Sequence, residues 1–214
     1  MPQSSDQTRA SSRPFGRRRK HKQKEELRRL ILNAAGELFV EAGYNAFSMR
    51  ELARRVGYAP ATLYLYFRDK DDLLFSVVDD AFARFRAELA EAAAGAEDPW
   101  ECLNRIGEAY VRFGLTQPAC YQLMFMWRSD YLNQSMQGEH SPRLAAFQVL
   151  VDAVGRAQRL GAVKPGDAGA YSDLMWAAMH GVVALALKVP QFTAERTAEL
   201  AANMKEALYL ALRP

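Results

Sequence analysis

The sequence predicts an all-α protein in two parts: an N-terminal three-helix helix-turn-helix head and a larger helical body, about nine helices in all. Three observations predict it. Apolar residues recur at three- and four-residue spacing along most of the chain, and no stretch alternates as a strand does. Acidic or hydroxyl residues open these stretches, and glycines close several of them. Near the N-terminus, two of the stretches are unusually short and are joined by a turn containing Gly57.

The first helix is built on Leu27, Leu30, Ile31, Ala34, Ala35, Leu38, Phe39 and Ala42, one apolar stripe that Gly43 stops. Ser48 opens the second, with Glu51 three residues on in a capping-box pattern; Leu52, Ala53 and Val56 face inward and Gly57 ends it. Pro60 starts the third, because proline at a first helical turn gives up no intrahelical hydrogen bond. That helix is expected to run only to about Tyr66. Asp69 caps a long fourth helix whose buried stripe is Leu73, Leu74, Val77, Val78, Ala81, Phe82, Phe85 and Leu89. Asp98, Pro99 and Glu101 repeat the start signal. A short helix in "TQPACYQLMFMW" and a long one ending at Gly161 follow, then two more over about 167–188 and 193–212. The polar stretch 128–141 is the best candidate for a mobile loop.

Half of the 214 residues are apolar and a quarter charged, the composition of a folded chain. Charged residues interrupt each apolar run, so no membrane span is expected. The polar, then basic N-terminus has no apolar signal region, which predicts a cytoplasmic protein. Cys102 and Cys120 match no metal or redox spacing and read as buried thiols. Residues 1–75 hold 15 Lys and Arg against 9 Asp and Glu, while the rest of the chain is net acidic. A basic head on an acidic body is suited to a polyanion. The densest part, "RRRKHKQK", falls in a basic N-terminal arm over 1–24, expected to be disordered and able to follow phosphates or enter a minor groove. Within it, 1–15 reads as a plain solvated tail. In a helix-turn-helix the second short helix enters the major groove and offers its N-terminal residues to base edges, which accounts for its brevity.

Residues 25–75 resemble the DNA-binding domain of the TetR family of transcriptional regulators, through "ILNAAGELFVEAGY", "SMRELARRVG" and "TLYLYFRDKDDLL" in order. The resemblance implies an all-helical homodimer, a DNA-binding domain over 25–70, and a ligand-binding and dimerisation domain over 71–214. It implies a phosphate contact for Ser48, a base or backbone contact for Arg50, and groove-facing positions for Thr62, Tyr64 and Tyr66. It implies a phosphate contact for Lys70, with Leu63 and Phe67 packed inward. At Ala59 and Pro60 the sequence departs from the family's polar residues, leaving Pro60 and Ala61 for apolar contact with a thymine methyl.

In the body, Leu174, Ala178, Val182 and Leu185, with Leu200, Met204 and Leu208 on the final helix, are the expected dimer interface, pairing as a four-helix bundle. Trp176, His180 and Gly181 in "MWAAMHGVVALAL" resemble the Trp-to-His-Gly signature of one TetR C-terminal subfamily. Aromatic and methionine residues gather in the middle of the chain and suit an apolar cavity, with Tyr110, Met124, Trp127, Phe147, Trp176 and His180 as its expected lining. No metal or other cofactor is expected, since His180 has no second ligand at helical spacing.

Together these features predict a repressor that a hydrophobic small molecule releases from a palindromic operator in double-stranded DNA. Two rival readings remain. One is a DNA-binding regulator that senses nothing or activates; the other is a helical small-molecule-binding or catalytic protein with a purely structural head. The sequence holds no nucleophile–base pair or paired carboxylates to favour an enzyme.

Overall fold

The structure is a computed structural model that describes residues 15–127 and 142–214. The expected loop over 128–141 and the tail up to residue 14 lie outside the described residues. Among the described residues there are nine α-helices and no strand: α1 (Phe15–Ala46), α2 (Met49–Val56), α3 (Pro60–Leu63), α4 (Lys70–Ala93), α5 (Pro99–Thr116), α6 (Pro118–Tyr121), α7 (Pro142–Arg159), α8 (Ala168–Lys188) and α9 (Ala194–Leu212). A π-helical turn, Gln122–Met126, continues α6.

The start signals work as the sequence suggests. Asp69 accepts the Asp72 amide at 2.8 Å, Asp98 the Glu101 amide at 2.7 Å, and Asp167 the Gly169 amide at 2.8 Å. Ser48 is an exception. Its backbone has the extended cap conformation, but its hydroxyl makes no cap hydrogen bond, and the Glu51 carboxylate pairs with Arg54 at 2.9 and 2.5 Å instead of reaching back to the Ser48 amide. Gly43 breaks the helical backbone of α1 at φ 74°, ψ 165°, three residues before the last turn at Ala46.

The basic segment 15–24 is not a disordered arm: it forms the first turns of α1. Lys, Arg and Gln are good helix formers, and adding turns to a helix already nucleated by packing incurs no new nucleation cost. Lys22 and Glu26, four residues apart and 3.9 Å from each other, continue the pattern on the surface.

The head packs α1 and α2 around Ile31, Leu32, Ala35, Phe39, Leu52 and Ala53, with Leu63 and Phe67 closing the cluster from α3 and the turn after it. In the body, α4 lies against α5 and α7, while α8 is flanked by α5, α7 and α9. Cys102 and Cys120 are buried and unpaired. Contrary to the expectation from the sequence, one helix, α8, is long and apolar enough by composition to span a membrane; only Asp173 and Lys188 within it are charged. Its neighbours explain part of this apolarity, since a helix packed on several sides is apolar all round. Only 28% of its apolar window is buried within the chain, however.

Candidate nucleic-acid interface and effector cavity

The turn between the two short helices rests on Gly57, at φ 75° and ψ 27°, a conformation that costs a side-chain-bearing residue about 1–2 kcal/mol. Its amide and that of Tyr58 return to the carbonyls of Arg54 and Ala53 at 3.3 and 3.0 Å, which ends α2. Ala59 enters α3 in extended backbone and Pro60 takes the first helical position. True α-helix lasts only to Leu63; tighter turns carry the chain on, with the amides of Leu65 and Tyr66 bonded to carbonyls three residues back at 3.2 and 2.9 Å. The recognition element is therefore shorter than its sequence suggests.

Leu63 and Phe67, four residues apart and both buried, pin this element to the head and so decide what points outward. Pro60 and Ala61 are exposed, Thr62 is half-buried, and Tyr64 and Leu65 are 53% and 79% exposed. Tyr66 is only half-buried, because it leans on the core beside Phe67 while the Lys24 ammonium lies 5.9 Å from its ring.

Ser48 and Arg50 are both exposed, and Arg50 has no ion-pair or hydrogen-bond partner among the described residues. The neighbouring cations are occupied: Arg54 by Glu51, Arg55 by Glu41 at 2.7 and 2.8 Å, and Arg68 by Asp72 at 3.5 Å. These hydrogen bonds hold the Glu41 and Glu51 carboxyls below the usual carboxylate range. Lys70 is occupied as well. Its ammonium donates to the Tyr44 carbonyl at 2.8 Å and sits 3.8 Å from the Tyr44 ring, joining the end of α1 to the start of α4. The Tyr44 hydroxyl in turn donates to Asp71.

The body encloses a cavity of about 490 Å³ between α4, α5, the π turn, α7 and α8, a typical size for a small-molecule site. Of the residues expected to line it, Tyr110, Phe147 and Trp176 do. Met124 is instead buried in the general core. Trp127 packs on Phe39 and Tyr44, with ring centroids 6.0 and 6.5 Å away, at the junction of head and body. His180 lies behind the wall, where its Nδ1 is 2.7 Å from the Tyr121 hydroxyl and 3.3 Å from that of Tyr110. Phe82, Phe85 and Phe125 form much of the lining; their periodicity marks them as core, and nothing in the sequence distinguishes a core ring from a cavity ring. Arg143 and Asp173 also line the cavity, and no sequence signal singled them out.

Of the expected interface residues, Leu174 is 48% exposed, and Ala178, Leu185, Leu200 and Met204 are half-buried. Val182 and Leu208 do not belong in this set. At 1% and 7% exposure they are already covered within the chain, because helical periodicity cannot tell which of two apolar faces a neighbour takes.

A glycine turn, a proline-started recognition element pinned by two buried residues, and a cavity-bearing helical body define a helix-turn-helix DNA-binding regulator. Residues 31–77 match the bacterial regulatory proteins of the tetR family, and residues 103–208 match the tetracyclin repressor-like C-terminal domain. The chain belongs to the TetR family of transcriptional regulators. Among solved structures it is similar to the fatty acid degradation regulator FadR from Bacillus halodurans, at 19% identity and TM-score 0.72, covering 86% of this chain and 98% of that one. It is also similar to a TetR family transcription regulator from Marinobacter aquaeolei, at 22% identity and TM-score 0.69, covering 90% and 98%. A third is the TetR family regulator PfmR from Thermus thermophilus, at 21% identity and TM-score 0.66, covering 84% and 97%.

Proposed function

We propose that this regulator is a homodimeric repressor, acting in the cytoplasm, that a hydrophobic small molecule releases from a palindromic operator. One observation carries the ligand response: a continuous chain of packed residues joins the cavity to the head. Phe125 belongs to the cavity wall, and two residues later Trp127 lies against Phe39 and Tyr44. Tyr44 holds Lys70 and Asp71 in the first turn of α4, three residues after Phe67. A ligand that displaces the π turn therefore pushes on the support of the recognition element. It shifts DNA binding only by its difference in affinity between the two head arrangements.

Arg50 and Ser48 act at the backbone or bases from α2, and Pro60, Ala61, Thr62 and Tyr64 meet the groove from α3. Tyr66 and Lys70 join them at the edges, Lys70 also bracing Tyr44. The apolar surface of α8 left uncovered by its own protomer supports pairing through α8 and α9, with Leu174, Ala178, Leu185, Leu200 and Met204 at the contact. Gly181 lies in that stretch, and a Cβ there would meet no atom within 4 Å of its own chain, leaving room for a mate. The family and the similar structures are regulators of transcription, so the protein is not expected to catalyse a reaction.

Selection of bound DNA from a random pool tests the reading. It should return a palindrome, and a compound that raises the melting temperature should weaken affinity for that palindrome. By linkage, a tenfold loss of DNA affinity means a tenfold weaker grip on the compound when DNA is bound, about 1.4 kcal/mol of coupling. Selection of no sequence refutes the operator; compounds that bind the cavity and never alter DNA affinity refute the response.

A further inference from the structure

The basic start of α1 takes no part in packing the head. Residues 15–24 hold six Lys or Arg with His21 and no Asp or Glu, and they are helical and continuous with α1. No apolar side chain stands between Phe15 and Leu27, where α1 first meets the core. At about 1.5 Å per residue these turns run on for roughly 15 Å beyond the packed part of the helix. Arg17 to Lys20 are four successive cations, and one helical turn takes about 3.6 residues, so no side of the helix lacks a cationic position. Such a helix has no face to lay on a core, a partner helix or a bilayer. Like charges three and four residues apart also repel within it. A polyanion removes both difficulties, because it pairs with the cations and relieves their repulsion. Among the described residues Arg19 and Lys24 have no carboxylate partner. Lys22 reaches Glu26 only at 3.9 Å, with both side chains mostly exposed, a pairing of little strength.

The place where this segment leaves the head points to the polyanion. Lys24 lies 5.9 Å from the Tyr66 ring and Arg28 5.7 Å from the Phe67 ring, so α1 passes beside the end of the recognition element. Between the two runs a cleft of about 880 Å³, with Gln23, Lys24 and Leu30 on the α1 side and Tyr58, Leu65 and Tyr66 on the other. Its apolar walls stay open: Leu30, Tyr58 and Leu65 are 47%, 44% and 79% exposed. Leu65 belongs both to this cleft and to the outward side of the recognition element, next to Tyr64. A duplex that takes that element in its major groove brings one of its own strands to the cleft, sugars against the apolar walls and phosphates toward Lys24. The strand that bounds a major groove also bounds the next minor groove, so the basic turns beyond the cleft fall on duplex outside the half-site.

We propose that the first turns of α1 are a second DNA-binding element, which holds phosphates flanking the half-site while the cleft seats the strand between. This rests on the head being the DNA reader, and not on the ligand response. The full-length protein is compared on two duplexes carrying the selected operator, one cut flush with its half-sites and one with about one helical turn, ~10 bp, added at each end. Salt titration and hydroxyl-radical footprinting read the contacts. Arg17, Arg18 and Arg19 are replaced together by alanine, the best helix former, so the charge goes and the helix stays.

The parent should show a log affinity–log salt slope steeper by ~2–3 per head on the flanked duplex, about 0.9 for each phosphate held, and backbone protection running beyond the half-sites. The triple variant should lose most of both, bind the flush duplex as the parent does, and select the same sequence. Leu30→Glu puts a carboxylate in the cleft and should weaken both duplexes ~10-fold more than Leu30→Gln, with thermal melts to confirm folding; equal affinities overturn the seating of the strand. Equal slopes for the parent on the two duplexes, or protection that stops at the half-sites, overturn the flanking contact and leave the head as the DNA reader. A triple variant that loses as much on the flush duplex overturns it too, by placing the segment inside the half-site. Failure of the parent to bind either duplex overturns both readings.

Discussion

Replacing Gly114 by alanine is expected to destabilise the body, although helix propensity alone argues the other way. Gly114 lies within α5, where alanine is worth about 1 kcal/mol more than glycine. A Cβ at this position would stand 2.4 Å from Val183 Cγ1, 3.0 Å from Cγ2 and 3.2 Å from Tyr121 Cδ2. Val183 and Tyr121 are both fully buried, and a β-branched valine in a helix has one strongly preferred rotamer, so it cannot swing away. Overpacking of this kind costs roughly 1–3 kcal/mol, which exceeds the propensity gain in most of that range. The net loss is up to about 2 kcal/mol, or a fall in Tm of up to ~4–8 °C for a chain of this size. Gly107 is the internal control. It lies on the same helix, but its Cβ would meet Met179 Sδ at 3.6 Å and Cγ at 3.8 Å, ordinary contact distances. Gly107→Ala should therefore raise the Tm by ~2–3 °C. Thermal unfolding followed by circular dichroism, at one fixed protein concentration to hold any dimerisation constant, compares the two. Combining Gly114→Ala with Val183→Ala should cost less than the sum of the single changes, because the second removes the atoms in the way. A Gly114→Ala protein stabilised as much as the Gly107→Ala control would refute the close approach of α5 and α8.

Other expectations concern the interface and the buried network. Arg50→Ala should weaken binding to the selected operator and reduce the slope of log affinity against log salt by about 1 if the residue meets a phosphate; an unchanged slope with relaxed sequence preference would assign it to a base instead. Tyr121→Phe removes the hydroxyl that lies 2.7 Å from His180 Nδ1 and 2.9 Å from the Tyr110 hydroxyl and should cost about 1–3 kcal/mol in urea unfolding, since its former partners stay buried. The same histidine sets a pH dependence. Its folded pKa lies below the ordinary 6.5 because of burial, so the unfolded chain binds the proton more readily. Stability from this group is present above about pH 6.5 and is lost as pH falls below it. His180→Asn, which retains an acceptor at the place of Nδ1, should show a shallower decline on acidification, and parallel curves would reject the assignment.

Much of the head was legible in the sequence because its signals are local. Proline at Pro60, glycine at Gly57 and the aspartate at Asp69 act through the backbone within four residues of themselves, and each does in the fold what its chemistry suggests. Ser48 departs from this rule: its hydroxyl makes no cap hydrogen bond, and the Glu51 carboxylate, the other half of the expected capping box, is taken by Arg54. Lys70 shows the limit more clearly. Its place in the sequence suggests a phosphate contact, yet the end of α1, 26 residues away, supplies a carbonyl and a ring for it. The cavity was the least legible part. Phe82, Phe85 and Phe125 follow the same apolar periodicity as fully packed residues, and whether a ring fills space or borders it depends on elements far away in the chain.

By itself the sequence determined the number and kind of helices, the place of the glycine turn, the short proline-started element and the family, because each of these is encoded by residues within a few turns of one another. Only the tertiary structure decided that Trp127 joins head to body, that Val182 and Leu208 are buried within the chain, and that Arg143 and Asp173 both line the cavity. Those outcomes depend on which faces of distant helices come together, and a periodic pattern records that a face is apolar without recording what covers it.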